Sequence, residues 1–123
     1  MSKLEIMVID DQPTICKEVA AYLKNDYVVH AFKSGKEAIS FFDKEQAISL
    51  ILLDYHMPEM TGFETLLNFR RRKDLYQIPV VFLTAETSDR MELEMKQRGA
   101  VDYLVKPINA TDLRRCISKH IKK

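Results

Sequence analysis

The chain has 123 residues, 46% of them hydrophobic, with 19 basic and 18 acidic side chains and a formal net charge of +1. This length suits one domain with a real core, expected over residues 1–123, and leaves no space for a second. The charge balance excludes a general pull toward nucleic acid or an anionic membrane, and no apolar run has the length of a membrane-crossing helix.

Met1-Ser2-Lys3 leads into a first strand at about 4–9 without the apolar segment of a signal peptide, so a cytoplasmic location is expected. Pro13 suits a first helical turn and opens a helix to about residue 24, with Ile15, Val19, Tyr22 and Leu23 on one face. A second strand is expected at 27–32. Ser34-Gly35-Lys36-Glu37 then has the pattern of a capping box before a helix carrying Ala38, Ile39, Phe41 and Phe42. The run Leu50-Ile51-Leu52-Leu53 gives a buried third strand at 49–53. Thr61-Gly62-Phe63-Glu64 is a second capping-box pattern, with Phe63, Leu66 and Leu67 expected inward. The fourth strand, at 78–83, tolerates Pro79 near its start. A helix over 88–97 ends before Gly99, a short fifth strand covers 103–105, and Asn109 caps a last helix over 110–121. That helix presents Leu113, Cys116, Ile117, His120 and Ile121 on one face. Its basic residues Arg114, Arg115, Lys119, Lys122 and Lys123 complement the helix dipole. Cys16 and Cys116 fit no CxxC or zinc pattern and read as reduced, packed thiols. Five βα units in succession imply an α/β fold of flavodoxin type, a doubly wound parallel sheet of order 2-1-3-4-5 with helices on both faces.

In such a sheet the ligand site lies at the carboxyl ends of the strands. Those ends here carry Asp10-Asp11, Asp54, Thr84 and Lys106-Pro107. Three carboxylates gathered there repel one another, and a hard divalent cation such as Mg²⁺ (or Mn²⁺) relieves the repulsion. A shielded Asp54 can attack phosphorus to give an acyl phosphate, with the Lys106 ammonium and the Thr84 hydroxyl serving phosphate oxygens. These are the parts phosphoryl transfer requires. Each residue alone has an ordinary structural use, since aspartates after strands commonly form turns; their joint placement carries the argument.

Asp10-Asp11, the segment from Asp54 to Gly62, Thr84-Ala85, and the segment from Gly99 to Pro107 resemble the receiver domain of two-component response regulators over essentially the whole chain. The resemblance implies a phosphorelay receiver that takes a phosphoryl group onto Asp54 from a sensor histidine kinase or histidine phosphotransfer protein. It implies Mg²⁺ held by Asp10, Asp11, Asp54 and the backbone carbonyl of His56. Thr84 and Lys106 would bind the phosphoryl group, Tyr103 would be the switch aromatic, and the bond before Pro107 would be cis. His56 and Glu86 would tune the lifetime of the phosphate. Output would pass through the fourth helix, fifth strand and fifth helix, with Arg90, Met91, Met95, Tyr103, Arg114 and Arg115 as face residues and an unknown downstream protein or output domain as reader.

The same parts also suit an aspartate-nucleophile phosphatase, with His56 two positions after the nucleophile, but no segment has the length of a substrate cap. A phosphate-independent module is a third reading, opposed by the five filled site positions. The expected role is therefore signalling, with only self-directed phosphotransfer and autodephosphorylation. His30 and His120 read as packed or surface side chains, and the Met57-Pro58-Glu59-Met60 loop as packing. Ile108 and Cys116 depart from the residues common in DNA-binding and dimer-forming subgroups, so a monomer or a weak phosphorylation-dependent dimer is expected. Neither a membrane nor a nucleic-acid partner is expected for this domain.

Overall fold

A computed structural model describes residues 3–121; Met1 and Ser2, before the first strand, and the basic Lys122 and Lys123 lie outside the described residues. The elements alternate as the sequence periodicity implies. They are β1 (Glu5–Ile9), α1 (Pro13–Leu23), β2 (Val28–Phe32), α2 (Gly35–Phe41), β3 (Leu50–Asp54), α3 (Gly62–Arg71), β4 (Val80–Thr84), α4 (Asp89–Gln97), β5 (Asp102–Val105) and α5 (Ala110–His120). The strands form one parallel sheet of order β2-β1-β3-β4-β5.

Strand composition follows position in the sheet. β3 and β4 are central and buried along their full lengths, which explains their unbroken apolar runs. β2 and β5 lie at the edges, are partly exposed, and contain polar residues such as His30 and Asp102. Alternate residues supply two cores. Met7, Ile9, Ile51, Leu53 and Phe82 point toward Ala38, Leu66, Phe69 and Met95 of α2, α3 and α4. Ile6, Val8, Leu50, Leu52 and Leu83 point the other way, toward Ile15, Val19, Leu113 and Ile117 of α1 and α5.

The helix ends follow the expected chemistry with one difference. Thr61 and Glu64 form both arms of a capping box at α3, and Asn109 accepts from the amides of Thr111 and Asp112. At α2 the Ser34 hydroxyl accepts from the Glu37 amide, and among the described residues no reciprocal bond from Glu37 is present. Gly99 adopts φ of 101° just past Arg98, the C-cap of α4, as a helix stop does.

Three placements differ from the sequence expectation, which has Leu67 inward and Met95 and Arg114 on the output face. Leu67 is 49% exposed, because α3 turns Gly62, Thr65, Leu66 and Phe69 to the sheet and places Leu67 beyond that stripe. Met95 is buried in the core and is unavailable to a surface partner. Arg114 leans onto α1, where its guanidinium donates to the Tyr22 carbonyl at 3.0 Å, so it lies away from the α4–β5 side. The exposed apolar residues on that side are Leu93, Val101 and Val105.

Candidate phosphoryl-transfer site

The parallel sheet delivers the carboxyl ends of β1, β3, β4 and β5 to one rim, and with them Asp10, Asp54, Thr84 and Lys106. Asp10 and Asp54 are buried, whereas Asp11 is exposed at the mouth. One oxygen from each of Asp10, Asp11 and Asp54 lies within 4.8 Å of the others. The cleft above them, about 190 Å³, is lined by Asp11, Gln12, Asp54, His56, Ala85 and Lys106. It is smaller than a cleft of about 420 Å³ between α4, β5 and α5, but it alone combines carboxylates with the Lys106 ammonium.

Lys106 holds the cluster together. Its Nζ stands 2.8 Å from Asp10 Oδ2 and 3.3 Å from Asp54 Oδ1, and donates to Gln12 Oε1 at 3.0 Å. Asp10 Oδ1 accepts from the Gln12 amide at 2.9 Å, and Asp54 Oδ1 accepts from the His56 amide at 3.3 Å. The Lys106 contact with Asp10 Oδ2 is a close ion pair without hydrogen-bond alignment, so this buried oxygen has no aligned donor. Three gathered carboxylates facing a single ammonium form a site that a further cation would suit. The donor set, all carboxylate oxygens, fits a hard divalent cation.

The electrostatics agree. Burial, and then the neighbouring Asp10 charge, push the Asp54 carboxyl up to about 7, with Lys106 opposing. Burial pulls the Lys106 ammonium down, but its pairs with Asp10 and Asp54 outweigh this and leave it raised.

Thr84 is buried at the end of β4, and its hydroxyl donates to the Glu86 carbonyl at 2.6 Å. It is therefore engaged within its own loop. Tyr103 is half-buried on β5 with its hydroxyl bonded to the Glu92 carboxylate of α4, an interaction that raises the phenol. The Lys106–Pro107 peptide is cis. His56 and Glu86 are both exposed, each two residues beyond a site residue.

The other histidines and cysteines lie away from this cleft or at its edge. His30 pairs with Glu5 at 2.6 Å and packs near Phe41. His120 pairs with Asp102 at 2.9 Å. Cys16 is half-buried, its thiol 3.6 Å from the Asp10 carbonyl, and Cys116 is buried in the α1–α5 core. Met57 is core, as loop packing requires. Gln12 was not singled out from sequence; its place immediately after the paired aspartates was the only available signal.

Comparison with known proteins places this geometry in context. The family model of the response regulator receiver domain matches residues 6–118. The two-component response regulator ORR7 of Oryza sativa subsp. japonica is 34% identical over 118 residues, which is 95% of this chain and 56% of that protein. The response regulator ORR11 of the same subspecies is 34% identical over 115 residues, 93% of this chain and 78% of that one. Among solved structures, the Vibrio cholerae chemotaxis protein CheY4 superposes with a TM-score of 0.90 at 31% identity, covering 97% of this chain and 99% of CheY4. The receiver domain of the sensor histidine kinase PA1611 from Pseudomonas aeruginosa PAO1, solved with a magnesium ion coordinated in its active-site cleft, gives 0.86 at 25% identity, covering 97% and 98%. Among the described residues, no helix is long and apolar enough to cross a membrane.

Proposed function

The chain belongs to the response regulator receiver family, and from that premise we propose that Asp54 is the phosphoacceptor of a phosphorelay, loaded by a sensor histidine kinase or histidine phosphotransfer protein. The observation that carries this reading is the Lys106 ammonium set between buried Asp10 and buried Asp54, with Asp11 at the mouth. That arrangement provides an acidic nucleophile and a counter-charge in one small cleft.

In this reading Asp54 attacks phosphorus as the donor's P–N bond breaks, and the leaving imidazole takes up a proton. Oδ1 of Asp54 holds the His56 amide and Lys106, so the attack is assigned to Oδ2. Asp10, Asp11, Asp54 and the His56 carbonyl would hold Mg²⁺, which when bound supplies charge neutralisation for carboxylates and phosphate oxygens. Lys106 pairs with the incoming phosphoryl group, relieved in part of its duty to Asp54. Thr84 must leave the Glu86 carbonyl to donate to a phosphoryl oxygen. Exposed His56 and Glu86 flank the path of the attacking water and set the lifetime of the acyl phosphate.

Movement of Thr84 at the end of β4 opens space beside Tyr103, across the sheet pairing that joins Thr84 to Val105. The phenol then exchanges Glu92 for the interior, and the α4–β5–α5 surface changes for a downstream reader. Arg90, Met91, Tyr103 and Arg115, together with exposed Leu93, Val101 and Val105, form that surface; buried Met95 and the α1-bound Arg114 do not. The role is signalling, and the activity is confined to phosphotransfer onto, and loss from, the chain itself.

Incubation with acetyl phosphate and Mg²⁺ tests the assignment. The native chain should acquire a hydroxylamine-labile phosphate, and Asp54→Ala should not. Undiminished labile labelling of Asp54→Ala would overturn the proposed acceptor.

A further inference from the structure

We propose that Asp102, Cys116 and His120 form a second metal site, selective for a borderline-soft divalent transition metal, with Zn²⁺ the best match. Asp102 opens β5, while Cys116 and His120 are one helical turn apart on α5 and therefore share a side of that helix. His120 Nε2 lies 2.9 Å from Asp102 Oδ2, and Cys116 Sγ lies 3.8 Å from the same oxygen. One donor atom from each of the three falls within 4.8 Å of the others. Tetrahedral Zn²⁺, with bonds of about 2.0 Å to nitrogen and oxygen and about 2.3 Å to sulfur, sets its ligand atoms about 3.3–3.6 Å apart. The observed separations lie on either side of that range, so small side-chain rotations suffice.

Donor chemistry separates this site from the carboxylate cleft. Thiolate, imidazole and carboxylate together favour Zn²⁺ over Mg²⁺, whereas Asp10, Asp11 and Asp54 offer only oxygen. The second oxygen of Asp102 is already fixed, because Oδ1 accepts from the Tyr103 amide at 2.8 Å. This leaves Oδ2 turned to α5, the kind of outer hydrogen bond that orients a metal ligand. A shallow cleft of about 190 Å³ beside Asp102 and Cys116 gives access from solvent and room for water at the fourth position. Lys119 and Arg115 border the same cleft and oppose a cation, while Asp112, 3.9 Å from Arg115, offsets part of their charge.

Binding is balanced as a proton exchange. The Cys116 S–H proton passes to solvent as the sulfur–metal bond forms. His120 binds through its neutral Nε2, and its bond with Asp102 gives way to a bond from each residue to the metal. The competing account is an Asp102–His120 ion pair with a thiol beside it, which makes the same contacts without metal. A metal here would fasten β5 to α5 beside Tyr103, so its occupancy would reach the signalling surface.

Titration of the reduced full chain with Co²⁺, in excess Mg²⁺ to occupy the carboxylate cleft, distinguishes the two. The expected result is a thiolate-to-cobalt charge-transfer band that saturates at one equivalent and is bleached by stoichiometric Zn²⁺. Cys116→Ser should abolish the band and Cys16→Ser should leave it unchanged. His120→Gln, checked for folding by circular dichroism, should weaken Co²⁺ binding by more than the roughly tenfold that losing even a hydrogen-bond partner of a metal ligand costs. No thiolate band in the native chain means an ion pair only and overturns the proposal. So does a band that persists in Cys116→Ser, or one of undiminished affinity in folded His120→Gln, which keeps the test decisive if the serine variant fails to fold.

Discussion

The Asp54 carboxyl is held in an environment that opposes its charge, and this has a measurable cost in the metal-free protein. Its ordinary value of 3.8 is raised to about 7 by burial and the Asp10 charge. Above the unfolded value the unfolded chain has released this proton while the folded chain still holds it. Stability from this group is therefore complete below about pH 4 and is lost as pH rises toward 7. Denaturant unfolding in chelator should show this decline, and Mg²⁺ should abolish most of it by favouring the ionised cluster. Asp54→Asn should flatten the same profile and stabilise the metal-free domain at neutral pH by about 1–2 kcal/mol. An unchanged pH profile in Asp54→Asn would place the electrostatic strain elsewhere.

The parallel sheet brings these residues together, and at Gly62 a close backbone approach also depends on an absent side chain. At the start of α3, a Cβ added to Gly62 would lie 2.5 Å from the Asp54 carbonyl and 3.1 Å from the Tyr55 Cα, both backbone atoms with little freedom to yield. Gly62→Ala should therefore destabilise the domain by about 2–3 kcal/mol in urea unfolding and lower Asp54 phosphorylation. A loss below about 0.5 kcal/mol would mean that α3 can slide away from the β3 end. Much of this organisation was legible in the sequence, because apolar runs alternate with helical stripes and acids or lysine close the strands. What escaped depended on how each helix is rotated against the sheet. Phe63, Leu66, Leu67 and Phe69 allow more than one inward stripe on α3, and packing chose Leu66 and Phe69. The rotation of α4 that buries Met95 and the lean of Arg114 toward α1 were hidden for the same reason. Rotamers were equally beyond reach, so neither the turn of Thr84 toward Glu86 nor the pairing of Lys106 with Asp10 could be read. Asp102 was assigned outside the fifth strand, which concealed its approach to Cys116 and His120.

The whole molecule is one sheet serving two cores. Leu52 faces α1 and α5, and Leu66 closes the opposite layer against α2 and α4. Leu52→Ala and Leu66→Ala should each cost about 2–5 kcal/mol. Both variants should still unfold in a single transition, because neither layer keeps its apolar face covered without the shared strands. Separate transitions for the two layers would show that one survives alone. In the proposed switch the same sheet would join chemistry to readout, since β4 ends in Thr84 and pairs with β5, which carries Tyr103. The Thr84 hydroxyl closed onto the Glu86 carbonyl adds a consequence for background output. A neutral hydrogen bond of about 1 kcal/mol biases a two-state equilibrium only about fivefold. Under the proposed switch, quiet in the absence of stimulus would be a ratio that this one bond helps to set, and signal-to-noise would depend on a hydroxyl placed away from the reader.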